Sequence, residues 1–91
     1  MYMTWASARR LVHYCANSID TSSIKEKLFE EYDEYSFFFY NKEDIHFGIY
    51  VSKGPIVEVD CYGGTTLHGK CTSFRELKDV FKKIKDAVES A

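Results

Sequence analysis

Proline and glycine are scarce in this chain, one Pro and five Gly in 91 residues. That excludes collagen-like, polyproline and linker-dominated architectures, and it leaves no flexible stretch to separate two domains. Long apolar runs are missing as well. Nothing approaches the roughly 18 apolar residues of a membrane span, and Arg9, Arg10 and His13 interrupt the segment where a secretory leader would need its apolar core. A cytoplasmic protein without membrane association is the expectation. The three cysteines, Cys15, Cys61 and Cys71, are too few for a disulfide framework and form no Cys-x2-Cys knuckle. Neither charge sign dominates: 12 Lys and Arg stand against 14 Asp and Glu, for a net charge of −2. The basic excess of a nucleic-acid-binding protein is therefore absent.

What the chain does have is concentrated in residues 35–61. Tyr35-Ser-Phe-Phe-Phe-Tyr40 is followed by Ile45-His-Phe-Gly-Ile-Tyr-Val51 and by Pro55-Ile-Val-Glu-Val-Asp-Cys61. Alternation of apolar and polar residues in the second and third runs marks half-buried antiparallel strands. The length allows one core and not two, so residues 1–91 are read as a single domain.

Helices are expected on both sides of these strands. Trp5, Ala8, Leu11, Val12 and Cys15 recur at helical spacing within residues 3–17. Asp20, Thr21 or Ser22 suits the cap of a second helix, with Ile24, Leu28, Phe29 and Tyr32 as its buried face. Thr72 or Ser73 caps the last helix, where Glu76 is spaced to complete a capping box with Ser73. Phe74, Leu77, Val80, Phe81, Ile84 and Val88 give that helix one continuous apolar stripe.

Turn residues suggest strand registers. A three-residue Ser52-Lys53-Gly54 loop, with Gly54 left-handed, pairs Val51 with Pro55 and Ile49 with Val57. A two-residue Lys53-Gly54 turn would set Ile49 against Glu58, and it is rejected for that reason. Before it, a three-residue Lys42-Glu43-Asp44 loop aligns Phe39 with Phe47, whereas a four-residue loop from Asn41 turns Phe38 and Tyr40 to that face. Gly63-Gly64 at the centre of the last turn sets Cys61 opposite Thr66 and Cys71 opposite Ile56, on the other face, which excludes a disulfide between them. The predicted fold is α+β: two N-terminal helices, a four-stranded antiparallel β-meander, and a C-terminal amphipathic helix packed on the sheet.

No catalytic constellation accompanies this fold. Cys61, His68 and Cys71 match no common zinc spacing, and no metal or cofactor is expected. Cys61 follows Glu58 and Asp60, acids that work against an activated thiolate. Glu58 and Asp60 themselves are two apart on an outward strand face, a commonplace arrangement. Gly63, Gly64 and Gly69 lack the Gly-Lys-Ser/Thr order of a phosphate loop. The expectation is a protein that is not an enzyme.

Charge is instead distributed unevenly. Residues 20–60 hold ten acids against four lysines, a balance of −6, and the remainder holds eight basic residues against four acids, a balance of +4. Such a dipolar surface acts on partner choice and association rate. Two features stand out: the acidic run Glu30, Glu31, Asp33 and Glu34, joined by Glu43, Asp44, Glu58 and Asp60, and the aromatic anchors Tyr35, Tyr40 and Tyr50. Spaced acids of this kind suit the basic groove of a nucleic-acid-binding enzyme, because such grooves are lined by Lys and Arg. Direct nucleic-acid binding by the sheet is disfavoured by the same acids. In size, charge and compactness the chain resembles small inhibitors made by phages and mobile elements, such as anti-CRISPR or anti-restriction proteins. That resemblance implies a protein partner met by the acidic and aromatic surface. The alternative is an immunity protein, antitoxin or accessory subunit that binds its partner, or its own copy as a homodimer, through the aromatic sheet face.

Overall fold

The computed structural model describes residues 3–91, and within them the fold is α+β, with two helices and one antiparallel sheet. Helix α1 (Trp5–Asn17) is followed by strands β1 (Glu26–Glu31), β2 (Tyr35–Lys42), β3 (Ile45–Ser52), β4 (Val57–Gly63) and β5 (Leu67–Cys71), and helix α2 (Phe74–Ser90) closes the chain. The five strands form a meander in the order β1-β2-β3-β4-β5. The expected first helix, residues 3–17, thus begins at Trp5.

Local chemistry explains the helices. Thr4 caps α1, accepting from the Ser7 N–H while the Ser7 hydroxyl accepts from the Thr4 N–H, a reciprocal capping box. Ser73 caps α2 as its sequence suggests, accepting from the Glu76 N–H at 3.2 Å. The Glu76 carboxylate reaches one residue further back than expected and accepts from the Thr72 N–H at 3.0 Å. At the other end of α2, the Lys42 ammonium donates to the carbonyls of Val88 and Ala91 at 2.6 and 2.7 Å. A cation from β2 therefore serves carbonyls that the helix leaves unpaired.

The expected second helix is strand β1. Its residues match a helical period, but the free edge of β2 offers a row of backbone donors and acceptors, and pairing there satisfies both strands. The choice also brings the Phe29 ring within 4.9 Å of Phe38 and 4.7 Å of His13. All six β1 residues remain exposed, and four of them are charged, which discourages further strands from adding to this edge.

Each expected hairpin register is corrected by the structure. The β2–β3 connection is a two-residue turn at Glu43-Asp44, with Glu43 at φ 67°, so Tyr40 pairs with Phe47 and Phe38 with Ile49. Between β3 and β4 the loop runs through Ile56, and Val51 pairs with Val59 instead of Pro55. Pro55 has no N–H to contribute to a ladder, so the loop extends past it; Gly54 is left-handed, at φ 44°, as its position suggests. The shift is four residues, an even number, so the predicted faces survive.

The β4–β5 register is off by one residue, and that inverts the whole of β5. Asp60 pairs with His68, Val59 with Gly69 and Val57 with Cys71. Cys71 therefore points inward with Cys61, and His68 points outward. Leu67, Gly69 and Cys71 alternate with His68 and Lys70, and burying the less polar set outweighs centring the two glycines in the turn.

Both helices lie on the same face of the sheet. Phe38 and Tyr40 of β2, Phe47, Ile49 and Val51 of β3, and Val59 and Cys61 of β4 project into one core with Val12, Leu77, Phe81 and Ile84 of the helices. Helix α1 is fixed across β1 and β2: Trp5 Nε1 donates to the Asp33 carbonyl at 2.9 Å, and Arg9 meets Glu31 at 3.0 Å. Helix α2 covers β4 and β5 so closely that a Cβ at Gly69 would fall 2.5 Å from Val80 Cγ2. Gly69→Ala is accordingly expected to cost about 1–3 kcal/mol by overpacking, with much of the loss recovered when Val80→Ala is added. Urea midpoints of the four proteins of that cycle measure the coupling, and strict additivity would contradict this account of Gly69.

Candidate functional site

Among the described residues, none covers the face of the sheet opposite the helices. Alternation sends Tyr35, Phe37 and Phe39 of β2, His46, Gly48 and Tyr50 of β3, Glu58, Asp60 and Tyr62 of β4, and His68 and Lys70 of β5 to this side. Phe37 lies over the backbone of Gly48, its Cε1 3.5 Å from where a Cβ would stand. From there the rings form a continuous band. Phe37 and Tyr50 are 4.6 Å apart, Tyr50 is 6.4 Å from both Tyr35 and Tyr62, and Tyr35 stacks on Tyr32 at 4.6 Å. Tyr50 and Tyr62 keep 41% and 53% of their surface in solvent. These are large aromatic groups held by strands and left without cover. A shallow cavity of about 370 Å³ opens at one end of the band, lined by Glu34, Tyr35, Tyr50, Ser52 and Gly54.

The acids expected to act together are divided by the fold. Glu30, Glu58 and Asp60 are on the open face, and Glu34 borders it beside the cavity. Glu31 points to the helical side, where Arg9 and His13 engage its carboxylate at 3.0 and 3.1 Å. Asp33 belongs to the β1–β2 turn and receives Trp5 through its carbonyl. Glu43 and Asp44 form the β2–β3 turn, at the opposite end of the strands from Asp33 and Glu34. Among the expected anchors, Tyr35 and Tyr50 are exposed, but Tyr40 is not an anchor. It lies wholly in the core, its hydroxyl donating to the Ala16 carbonyl at 3.4 Å, and burial pushes its pKa up to about 12. Phe37 and Tyr62 belong to the band and were missed. Their signal was parity: once Tyr35 is placed outward, Phe37 follows, and once Tyr50 is outward its neighbours on β4 follow.

Seven of the basic residues are on the two helices, which cover the other face. Helix α1 carries Arg9 and Arg10, and α2 carries Arg75, Lys78, Lys82, Lys83 and Lys85, with Lys85 paired to Glu89. The helices also carry Glu76, Asp79, Asp86 and Glu89, so the charge asymmetry of the sequence is only partly separated between the two faces.

Cys15, Cys61 and Cys71 are all free. Burial pushes the Cys61 and Cys71 thiols up to about 11, with Glu76 adding to the effect at Cys71, and burial also raises Cys15 against the opposing influence of Lys78. None has the depressed pKa of an activated nucleophile.

Comparisons with protein-family models, curated proteins and solved structures find no match to this chain.

The buried thiols give a pH dependence with a definite sign. From the ordinary value of 9.0 up to about 11, the unfolded chain has released thiol protons that the folded chain retains. Stability is therefore expected to fall as pH rises through that window. A Cys61→Ser, Cys71→Ser variant should show a shallower fall in denaturation midpoint over the same range. An identical slope in both proteins would contradict the assignment.

Proposed function

We propose that this chain is a small non-enzymatic protein that binds another protein through the uncovered face of its sheet. The observation that carries the reading is the aromatic band on that face, bordered by Glu30, Glu34, Glu58 and Asp60 and left open by both helices. Rigid tyrosine and phenylalanine rings supply contact area at low entropic cost, and interface hot spots are enriched in such residues. The acids around the band favour a basic partner surface, and Lys70 is the one lysine or arginine that β2 to β5 send to that face. A nucleic-acid-handling enzyme presents such a surface in its binding groove, so the favoured role is an inhibitor of anti-defence type that occupies that groove as a local plug. No membrane, cofactor or direct nucleic-acid contact enters this reading.

A second reading is an immunity protein, antitoxin or accessory subunit whose interface is the apolar centre of the band. The low polarity of Phe37, Phe39 and Gly48 at that centre favours it. Salt separates the two, because a contact dominated by acids weakens with ionic strength and an apolar one does not.

The test is affinity capture from nuclease-treated lysate at low and high salt, with the native chain beside a Tyr50→Ala, Tyr62→Ala variant and a Glu58→Gln, Asp60→Asn variant. The expected result is one stoichiometric nucleic-acid-binding enzyme, lost at high salt and depleted about tenfold or more by the tyrosine variant. A partner retained by both variants would overturn the assignment to this face. A partner lost only with the tyrosine variant and insensitive to salt would favour the subunit reading.

A further inference from the structure

The inversion of β5 brings His68, which the docking reading does not use, against two of the acids that border the aromatic band. Asp60 and His68 are directly paired across β4 and β5, and Glu58 lies two residues from Asp60 on the same face. One donor atom from each of Glu58, Asp60 and His68 falls within 4.8 Å of the others. The histidine is held between the two acids. Its Nδ1 meets Asp60 Oδ1, and its Nε2 is 4.0 Å from Glu58 Oε2.

The chemistry of these contacts assigns the ring nitrogens. An ionised carboxylate only accepts, so Nδ1 carries the proton given to Asp60, and in the neutral ring the Nε2 lone pair is free. That lone pair faces Glu58 across a gap too long for a hydrogen bond. Zinc–nitrogen and zinc–oxygen bonds are each about 2.0–2.2 Å, so an ion bonded to both atoms bridges a separation of this size at a wide angle. At a tetrahedral angle the two atoms would stand about 3.4 Å apart. A small rotation of the partly exposed Glu58 side chain supplies the difference. The remaining contact, carboxylate to Nδ1–H, is the one that fixes tautomer and ring orientation in histidine–metal sites.

We propose that Glu58, Asp60 and His68 form a solvent-facing site for a divalent transition ion of the zinc class. His68 Nε2 and Glu58 Oε2 are the direct ligands, and Asp60 orients the imidazole. One imidazole and a carboxylate suit zinc and its neighbours better than magnesium or calcium, which favour all-oxygen sets. Two protein ligands leave positions for water, so the ion is exchangeable and not a structural staple. Lys70 stands opposite Glu58 in the ladder and opposes the incoming charge. Its removal therefore tightens the site. The site shares Glu58 and Asp60 with the proposed docking surface, but the ion needs no partner, so its binding is read on the isolated chain.

The experiment is calorimetric titration of the purified chain with Zn²⁺, together with Co²⁺ spectroscopy and NMR of the histidine ring protons. Saturable binding is expected at one ion per chain, with the His68 resonances moving and those of His13 and His46 unchanged. His68→Gln and Glu58→Gln should each weaken binding about tenfold or more, and Asp60→Asn about tenfold through loss of ring orientation. Lys70→Gln should tighten it several-fold. These four side chains are on the surface, and the Lys70 variant reads a gain that unfolding cannot mimic. Absence of Zn²⁺ binding, binding unchanged by His68→Gln, or a Co²⁺ thiolate charge-transfer band that vanishes with Cys15→Ser would each overturn the proposal.

Discussion

The two-residue turn at Glu43-Asp44 decides which half of the aromatic run in β2 enters the core, and the rest of the molecule is arranged around that choice. Strand side chains alternate, so one additional residue in the turn would exchange Phe38 and Tyr40 for Phe37 and Phe39 on the helical side. With two residues, Phe38 and Tyr40 join Phe47, Ile49, Val59 and Cys61 beneath the helices. Tyr35, Phe37 and Phe39 are then committed to the opposite face. The turn holds Glu43 in a left-handed conformation that non-glycine residues adopt at some cost, and the cost is small beside the burial of two large aromatic side chains.

A sheet with both helices on one side is an incomplete sandwich, and its open face is the place to look for function. Antiparallel sheets commonly leave one face to water, but such faces are usually lined with polar residues. This one carries Phe37, Phe39, Tyr35, Tyr50 and Tyr62 along three adjacent strands. The acids on the two faces differ in their partners. Arg9 neutralises Glu31 on the helical side, whereas Glu58 and Asp60 are left on the open side with His68 between them. Fold and aromatic band therefore point in one direction.

Much of this was legible from the sequence, and the misses share a cause. The last helix, its Ser73 cap, the alternation in β3 and β4, and the uneven charge all follow from local pattern. The failures were at positions where a distant partner outweighed a local signal. Residues 26–31 fit a helical period, yet the edge of β2 was the better partner. Gly54 and the Gly63-Gly64 pair invited tight turns, but the missing N–H of Pro55 at the first and burial of Leu67 and Cys71 at the second set different registers. The Glu58, Asp60 and His68 cluster was hidden by that last error, because the expected register sent His68 to the core side. Tyr40 was misassigned because aromatic content alone does not distinguish an inward ring from an outward one.

The central claim is that the aromatic band is open in the free chain. Hydroxyl-radical footprinting of the dilute monomer tests it most directly, since tyrosine and phenylalanine report their own exposure. Heavy modification of Tyr35, Tyr50 and Tyr62, with Tyr40, Phe38 and Phe47 protected, is the result that follows from this fold. Protection of Tyr50 and Tyr62 together with modification of Tyr40 would mean that the opposite face of the sheet is covered, and the account would fail.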